Sequence, residues 1–155
     1  MINTEIHNNS FWQERPVLVT RGAGFIGSWL SYALLQMGAH VVILDKKSGI
    51  QPLLYQRDSV LAGATYVQGD VRNAVLVEKL YRKFCIETVL LLAAETIVGE
   101  AIQDPGETLD TNIRGTWEVL EAYRKWKGDS GQVVIASSDK AYGSHNALPD
   151  KENFE

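Results

Sequence analysis

The feature that most constrains this chain is the segment VLVTRGAGFIGSWL at residues 17–30. Its apolar beginning is typical of a strand buried on both faces, and its end has the apolar spacing of a helix. Between the two, Gly22, Gly24 and Gly27 satisfy the pattern GxGxxG. Glycines at these places permit a tight turn and let backbone amides approach a pyrophosphate at the helix N-terminus. The segment predicts a dinucleotide-binding turn, and the alternative is a glycine-rich turn that only packs.

The composition favours one domain and excludes several kinds of site. The 155 residues are 45% hydrophobic, so we expect a single domain over residues 1–155. With a net charge of −4 and no Lys/Arg block, nucleic acid is not an expected partner. One cysteine, Cys85, and three scattered histidines predict neither a disulfide nor a metal site. We find no leader pattern and no run of about 18 apolar residues, and therefore expect no membrane contact and a cytoplasmic location.

Apolar runs alternate with segments of helical spacing along the rest of the chain. We expect strands at residues 15–20, 40–45, 64–70, 87–94 and 132–138. We expect helices at residues 25–37, 73–84 and 104–128, with a short helix as one option for residues 48–63. Residues 1–12 are interpreted as a polar leader and residues 144–155 as a loop-like tail. The alternation predicts a doubly wound α/β fold, whose parallel strands bind ligands at their carboxyl ends.

Two acidic residues end predicted strands at the expected ligand edge. Asp45 lies 21 residues after Gly24 (45 − 24), near the ~20 expected for the acid that accepts hydrogen bonds from an adenosine ribose. Its charge favours NAD over NADP, although Lys46 and Lys47 could accommodate a 2′-phosphate, and the alternative for Asp45 is an exposed turn acid. Asp70 could contact the adenine amino group or cap the following helix.

Six motifs along the chain together carry a resemblance to a known family: VLVTRGAGFIG, LD, GDVRN, LLLAAE, TNIRGT and ASSDKAYG. They resemble the N-terminal half of the extended short-chain dehydrogenase/reductases, the NAD-dependent sugar-nucleotide epimerases and dehydratases, over residues 11–149. The resemblance implies one NAD-binding Rossmann domain of about five strands, truncated before the last strands and the substrate lobe. It implies NAD as cofactor and a sugar nucleotide as the ligand of full-length members. Within the family, SSDKAYG is most similar to CDP-glucose 4,6-dehydratase.

The same resemblance gives roles to individual residues. Ser138 matches the residue that contacts the sugar 4-hydroxyl, Asp139 the acid of the dehydratases, and Lys140 the lysine of the CDP-glucose enzymes. The alternative for these three residues is an ordinary solvated loop. The motifs and the resemblance together assign the cofactor to Gly22, Gly24, Phe25, Ile26, Gly27, Asp45, Lys46, Asp70 and Val71, with Leu92, Ala93, Ala94 and Glu95 on the nicotinamide side and Asn112 near its ribose.

One departure from the family concerns catalysis. Members use a Tyr and, four residues later, a Lys on a helix after the fifth strand, where the tyrosine takes the proton of the 4-hydroxyl. Tyr142 is followed at that spacing by Asn146, and Tyr123 with Lys127 precedes the fifth strand, so we interpret that pair as a chance match. We therefore expect no dehydratase turnover from this chain alone. The alternatives are a non-catalytic nucleotide-binding or interaction module and an epimerase fragment, since an epimerase needs no acid at position 139.

A second departure lies in the glycine turn itself. The family pattern TGxxGxxG has a glycine where this chain has Arg21. If that position needs a positive φ, the arginine costs on the order of 1 kcal/mol in strain. We expect weakened cofactor binding, and the alternative is that the guanidinium pairs with a phosphate.

The predicted end of the sheet carries an expectation of its own. A fifth strand without a neighbour leaves an open apolar edge, and the long helix is then expected to expose Trp117 and Tyr123 along its stripe of Leu109, Ile113 and Leu120. These surfaces predict a homo-oligomer or another association through the strand-five edge and the long helix.

Overall fold

A single parallel sheet organises the chain. The computed structural model describes residues 9–46, 62–138, 141 and 143. Its five strands are β1 (Pro16–Thr20), β2 (His40–Asp45), β3 (Thr65–Gln68), β4 (Thr88–Leu91) and β5 (Gln132–Ile135). They lie in the order β3-β2-β1-β4-β5, and every neighbouring pair is parallel. This order confirms the predicted doubly wound α/β sheet. From β1, strands β2 and β3 lie toward one edge, and the strands that begin with β4 lie toward the other.

Helices cover both faces of the sheet. They are α1 (Phe25–Gln36), α2 (Ala74–Phe84), α3 (Val98–Gln103), α4 (Pro105–Leu109) and α5 (Gly115–Lys127), with a π-helical turn (Asp110–Arg114) that joins α4 to α5. Short 3₁₀ turns lie at Asn9–Phe11, within the predicted leader, and at Gly128–Ser130. The predicted long helix therefore exists, with a π turn inside it, whereas α3 is a helix that the sequence did not predict. The possible helix within residues 48–63 falls almost wholly outside the described residues, as does the predicted tail at 144–155.

Alternate residues of the central strands fill two separate cores. On one face of β1, Leu18 packs in a cluster that includes Tyr81 of α2 and Val119 of α5. On the other face, Val17 and Val19 pack with Leu34 of α1. Strands buried on both faces are expected at the centre of a parallel sheet, which explains why β1, β2 and β4 are continuous apolar runs.

The long helix turns a different face to the core than its apolar stripe indicates. Trp117 is 54% exposed, which confirms its predicted exposure, but Tyr123 is only 4% exposed, so the prediction for that residue is wrong. The Tyr123 ring packs edge-on against Tyr81 with centroids 5.3 Å apart. Its hydroxyl donates to the Glu87 carbonyl and accepts the Gln132 N–H at 3.2 Å. Tyr123 thus joins α5 to the beginnings of β4 and β5.

A close contact at Gly115 decides which face of this helix is buried. A Cβ atom at Gly115 would lie 2.8 Å from Val71 Cγ2. A larger residue would therefore fit only if one of the two segments moved. The smallest residue of the helix therefore faces the core, and the larger Ile113 and Trp117 face outward. The short distance between Gly115 and Val71 favours this orientation of the helix, which the spacing of its apolar residues does not predict.

The sheet leaves apolar side chains exposed at one edge. In the part of the chain that the structure describes, no strand lies beyond β5, where Val134 and Ile135 are exposed. None of the described helices is both long enough and apolar enough to cross a bilayer. No three His, Cys, Asp or Glu residues among those described are grouped to hold a metal ion.

Candidate functional site

Two neighbouring cavities lie at the carboxyl ends of the strands. The first, which we call the Asp45 cavity, has a volume of about 260 Å³ and is lined by Arg21, Leu44, Asp45, Lys46, Gly69, Asp70, Val71, Ala93, Ala94, Glu95, Ile97, Glu100 and Thr111. The second, the Ser138 cavity, has a volume of about 710 Å³ and is lined by Arg21, Gly24, Phe25, Ile26, Gly27, residues 91–96, Asn112, Thr116 and residues 135–138. Four residues belong to both walls: Arg21, Ala93, Ala94 and Glu95.

The glycine turn is tied to the ends of two strands. Thr20, the last residue of β1, accepts the N–H groups of Leu92 and Ala93 at its Oγ1, both at 3.0 Å. The next residue, Arg21, donates its N–H to the Leu44 carbonyl at 2.8 Å, and its own carbonyl accepts the Gly24 N–H at 3.0 Å. The turn therefore rests on β2 and β4 and opens helix α1 at the edge where ligands bind.

Close backbone contact explains the third glycine of the turn. A Cβ atom at Gly27 would lie 2.3 Å from the Arg21 carbonyl oxygen, so no other residue fits the first turn of α1. Gly22 is buried against the Ile43 side chain and lines neither cavity. Gly24 precedes α1, whose N-terminus has no side-chain cap among the described residues. That N-terminus offers free N–H groups and partial positive charge to an anion.

Arg21 adopts the backbone conformation that the family pattern predicts. Its φ is 51°, in the left-handed region where a glycine carries no penalty. The side chain folds back over Gly24, since its Cγ and Nε would lie 3.3 Å and 3.7 Å from a Cβ built there. Its Nη1 then donates to the Ala94 carbonyl on the opposite wall. The arginine thus spans the groove between the two cavities.

Asp45 is a buried wall residue, and the alternative of an exposed turn acid is wrong. It is 8% exposed, and its Oδ2 accepts the Ala23 N–H at 3.1 Å. Because β2 is parallel to β1 and in register with it, the carboxylate at the end of β2 lies beside the glycine turn at the end of β1. A carboxylate in this position can accept hydrogen bonds from a ligand hydroxyl.

Asp70 belongs to an ion-pair network, and it does not cap the next helix. Asn73 caps α2, since its Oδ1 accepts the Leu76 N–H at 3.1 Å. Asp70 instead accepts from the Arg72 guanidinium, with the nearest contact at 2.7 Å. Burial by itself would raise the pKa of Asp70, but the hydrogen bonds from Arg72 outweigh it and leave the pKa below its usual value.

The same network reaches across to the long helix. Arg72 Nη1 lies 2.7 Å from carboxylate oxygens of both Glu107 and Asp110. Lys46 Nζ lies 2.8 Å from Glu107 and 3.5 Å from Asp70. Hydrogen bonds from Arg72 and then Lys46 lower the pKa of Glu107 to about 2, and the bond to Glu107 raises the pKa of Lys46. At the rim of the Asp45 cavity, Lys46 is therefore already paired with two carboxylates.

Asn112 holds the segment after β4 against the π turn. Its Oδ1 accepts the Glu95 N–H at 2.7 Å, and its Nδ2 donates to the Glu95 carbonyl at 3.0 Å. This reciprocal pair orients Ala93, Ala94 and Glu95 along both cavities. π turns inside helices occur frequently at functional sites, and this one lies at the TNIRGT motif.

Thr111 is a cavity residue that the sequence predictions missed. It is 4% exposed and lines the Asp45 cavity, and its Oγ1 has no hydrogen-bond partner among the described residues. Buried hydroxyls usually have partners, so an unpaired one in a cavity wall is a candidate ligand contact. The TNIRGT motif carries the signal, although the family resemblance assigns a role only to Asn112 within it. Arg72 was missed in the same way within GDVRN.

The structure brings most of the predicted site residues together. Asp45, Lys46, Asp70 and Val71 line the Asp45 cavity. Gly24, Phe25, Ile26, Gly27, Leu92, Asn112 and Ser138 line the Ser138 cavity, while Ala93, Ala94 and Glu95 line both. Of the predicted catalytic residues, Ser138 follows β5, whereas Asp139 and Lys140 lie outside the described residues.

Comparison with known protein families identifies the family of this chain. The family model described as GDP-mannose 4,6 dehydratase matches residues 18–155. The chain belongs to the NAD-dependent sugar-nucleotide epimerase/dehydratase family. The resemblance inferred from the six motifs is thereby confirmed.

Among characterised relatives, UDP-glucose 4-epimerases are similar to this chain. The one from Klebsiella pneumoniae is 35% identical over 86% of this chain and 96% of its own length. The one from Halalkalibacterium halodurans is 31% identical over 88% of this chain but only 39% of its own length. The putative enzyme of Methanocaldococcus jannaschii is 36% identical, again over 88% of this chain and 43% of the relative. The chain therefore spans about two fifths of the latter two relatives.

Solved structures of other UDP-glucose 4-epimerases share the fold of this chain. UDP-glucose 4-epimerase from Bifidobacterium longum, in complex with NAD+ and UDP, has a TM-score of 0.79 and 30% identity over 90% of this chain and 42% of its own. The epimerase from Stenotrophomonas maltophila, with bound NAD and formylated UDP-arabinopyranose, has a TM-score of 0.78 and 32% identity over 90% of this chain and 41% of its own. The cofactor prediction of NAD agrees with these complexes. The relatives favour the epimerase alternative over the CDP-glucose dehydratase.

Proposed function

We propose that this chain is the NAD-binding part of a sugar-nucleotide epimerase. The observation that carries the proposal is the convergence of the glycine turn, the buried Asp45 carboxylate and Ser138 on one groove at the carboxyl edge of the sheet. UDP-glucose 4-epimerases that share this fold and about a third of its residues support the choice of reaction. The dehydratase is the second candidate, on the strength of the SSDKAYG motif.

The residues of the groove fit NAD at both ends. We assign the adenosine half to the Asp45 cavity, where Asp45 accepts from the ribose hydroxyls and Val71 packs against the adenine. Gly24, Phe25 and Ile26 at the start of α1 meet the pyrophosphate. The nicotinamide half then lies in the Ser138 cavity, along Ala93 and Ala94 and near Asn112, with Leu92 and Glu95 completing the wall.

In this proposal, the residues of this chain bind NAD and orient a sugar hydroxyl, but they do not complete a catalytic site. NAD, when bound, supplies the hydride acceptor and donor for oxidation and reduction of a sugar carbon. Ser138 stands at the carboxyl end of β5, where its hydroxyl can hydrogen-bond a sugar hydroxyl beside the nicotinamide pocket. In the 155 residues, no Tyr after Ser138 has a Lys four positions later. We therefore propose that this chain alone binds NAD without turnover.

We propose that copies of this chain associate through the β5 edge and the outer face of the long helix. Val134 and Ile135 of β5 are exposed, as are Ile113 and Trp117 of the helix. An exposed strand edge offers unpaired backbone groups, and apolar side chains beside it favour contact with a second copy.

Turnover measurements distinguish the candidate functions. We expect the chain, saturated with NAD, to convert neither UDP-glucose nor CDP-glucose, with products analysed by chromatography. Conversion of UDP-glucose to its 4-epimer would contradict the lack of turnover. Formation of a 4-keto-6-deoxy product from CDP-glucose would establish the dehydratase.

A chimera tests the type of reaction. Residues 1–138 of this chain are joined to the remaining part of the Bifidobacterium longum epimerase, which is a UDP-glucose 4-epimerase of the same fold. We expect this chimera to epimerise UDP-glucose. A chimera that folds and binds NAD but has no epimerase activity would contradict the proposal.

A further inference from the structure

The Arg21 side chain divides the ligand groove in two. Its guanidinium donates to the Ala94 carbonyl on the opposite wall, and both residues line both cavities. A dinucleotide that occupied both cavities would pass through the position of this bond. The Asp45 cavity, at about 260 Å³, lies just below the roughly 300–1,000 Å³ typical of ligand sites. This volume is small for a whole dinucleotide.

The charge of Arg21 is not neutralised within the described part of the chain. The one hydrogen-bond partner of the guanidinium there is the neutral Ala94 carbonyl, and no described carboxylate forms an ion pair with it. By contrast, Lys46, which lines the same cavity, is paired with Glu107, and Arg72 is paired with the cavity residue Asp70. A guanidinium has five N–H donors, and Arg21 uses one of them on Ala94. The remaining donors suit an anion that ends at this wall.

The walls of the Asp45 cavity carry the groups that a nucleoside needs. Asp45 accepts hydrogen bonds beside the glycine turn, and Val71 and Ile97 supply apolar surface for a base. Thr111 adds a buried hydroxyl without a partner among the described residues. This hydroxyl is an observation independent of the arginine, and it indicates a polar ligand within the same cavity.

We propose that the Asp45 cavity is a site for an adenine mononucleotide such as AMP, with Arg21 as the ligand of its phosphate. The adenosine lies as in the proposed NAD site, on which this inference rests for the orientation of the base. The phosphate ends at Arg21, which keeps its position on the wall. NAD binds only after the bond between Arg21 and Ala94 breaks. The arginine therefore favours the mononucleotide and disfavours the dinucleotide.

A single substitution tests this selectivity because it shifts the two affinities in opposite directions. Calorimetric titrations of AMP, adenosine and NAD are compared for the native chain and for Arg21→Gly. Loss of a charged phosphate ligand is expected to weaken AMP binding about tenfold. Removal of the barrier is expected to tighten NAD binding severalfold, and adenosine affinity is expected to stay within twofold. Glycine is favoured at the positive φ of this position, so the variant is expected to fold.

Two further variants control the experiment. Arg124→Gln removes one positive charge from an exposed arginine that is paired with Glu121 on α5, and it is expected to leave both affinities unchanged. Arg21→Lys keeps the charge and is expected to retain most of the AMP affinity. If it binds AMP as weakly as Arg21→Gly does, charge at this wall is not what holds the ligand, and the proposal is overturned.

Each remaining outcome has a definite meaning. If Arg21→Gly tightens AMP and NAD together, the arginine is only an obstruction; if it weakens both, the arginine binds the pyrophosphate of the dinucleotide. Either result overturns the mononucleotide site, as does a native chain that does not bind AMP. If AMP behaves as expected but neither protein binds NAD, the proposed function fails and the mononucleotide site stands.

Discussion

We infer that Thr111 combines a structural penalty with a role in the proposed binding site. Its buried hydroxyl has no partner among the described residues, so folding removes it from water without compensation. We predict that Thr111→Val, which keeps the shape of the side chain, raises the free energy of unfolding by about 1 kcal/mol in denaturant titrations. The same variant is expected to weaken AMP and adenosine binding. A loss of stability would show that the hydroxyl has a partner in the folded protein.

We infer that Glu107 influences which cofactor the rim of the Asp45 cavity accepts. It holds Lys46 at 2.8 Å, so that the ammonium is not free to meet a 2′-phosphate. We predict that Glu107→Gln leaves Lys46 with only its 3.5 Å contact to Asp70 and improves the affinity for NADP relative to NAD about fivefold, because one negative charge that repels the 2′-phosphate is removed from the rim. Glu121→Gln, which changes a carboxylate of α5 paired with Arg124, is the matched control. Equal ratios in both variants would contradict this role.

The sequence predicts which residues line the site, but it does not predict what their side chains contact. The positive φ of Arg21 could be predicted because the family pattern has glycine there, and the structure has φ 51°. The direction of its guanidinium could not be predicted, because a long side chain has several rotamers and its partner, Ala94, lies in the segment that follows β4. In the same way, Asp45 was predicted from its spacing, whereas its burial depends on the parallel register of β1 and β2.

At the level of elements, Tyr123 joins helix α5 to the sheet. Its hydroxyl contacts Glu87 before β4 and Gln132 at the start of β5, while its ring packs on Tyr81. We predict that Tyr123→Phe lowers the free energy of unfolding by about 1 kcal/mol, because the hydroxyl's two part-buried hydrogen bonds are lost while the Gln132 N–H keeps only its 3.4 Å contact with the Glu87 carbonyl. Tyr32→Phe, at a half-buried tyrosine packed on Trp29, is expected to change it far less. Equal effects of the two substitutions would contradict this role.

Most of the elements could be predicted because apolar runs and helical spacing are local signals. Strand β2 and helix α2 are found within one residue of their predicted ends. The orientation of the long helix could not be predicted in this way. The π turn at Asp110–Arg114 changes the helical phase, and the contact of Gly115 with Val71 depends on a distant segment. Helix α3 has only six residues, which is too short for helical spacing to be distinguished from chance, and this explains why the sequence does not predict it.

At the scale of the whole molecule, the exposed apolar edge makes association testable. We predict that the native chain sediments as a dimer or larger species at about tens of micromolar, the range in which exposed edges drive association. Val134→Lys on the edge strand is expected to shift the distribution toward monomer, because a charge on an edge strand opposes pairing. A native chain that is monomeric throughout this range would contradict the proposal.

The central claim, that this groove binds NAD through the acid at the end of β2, is tested most directly by the NAD affinity of Asp45→Asn. Asparagine keeps an oxygen for the Ala23 N–H, so the turn is expected to keep its shape. Calorimetric titration should give one NAD bound per native chain and, for the variant, an affinity about tenfold lower, since hydrogen bonds from the ribose to a charged acceptor are lost. Equal affinities for the native chain and the variant, or no NAD binding by the native chain, would contradict the claim.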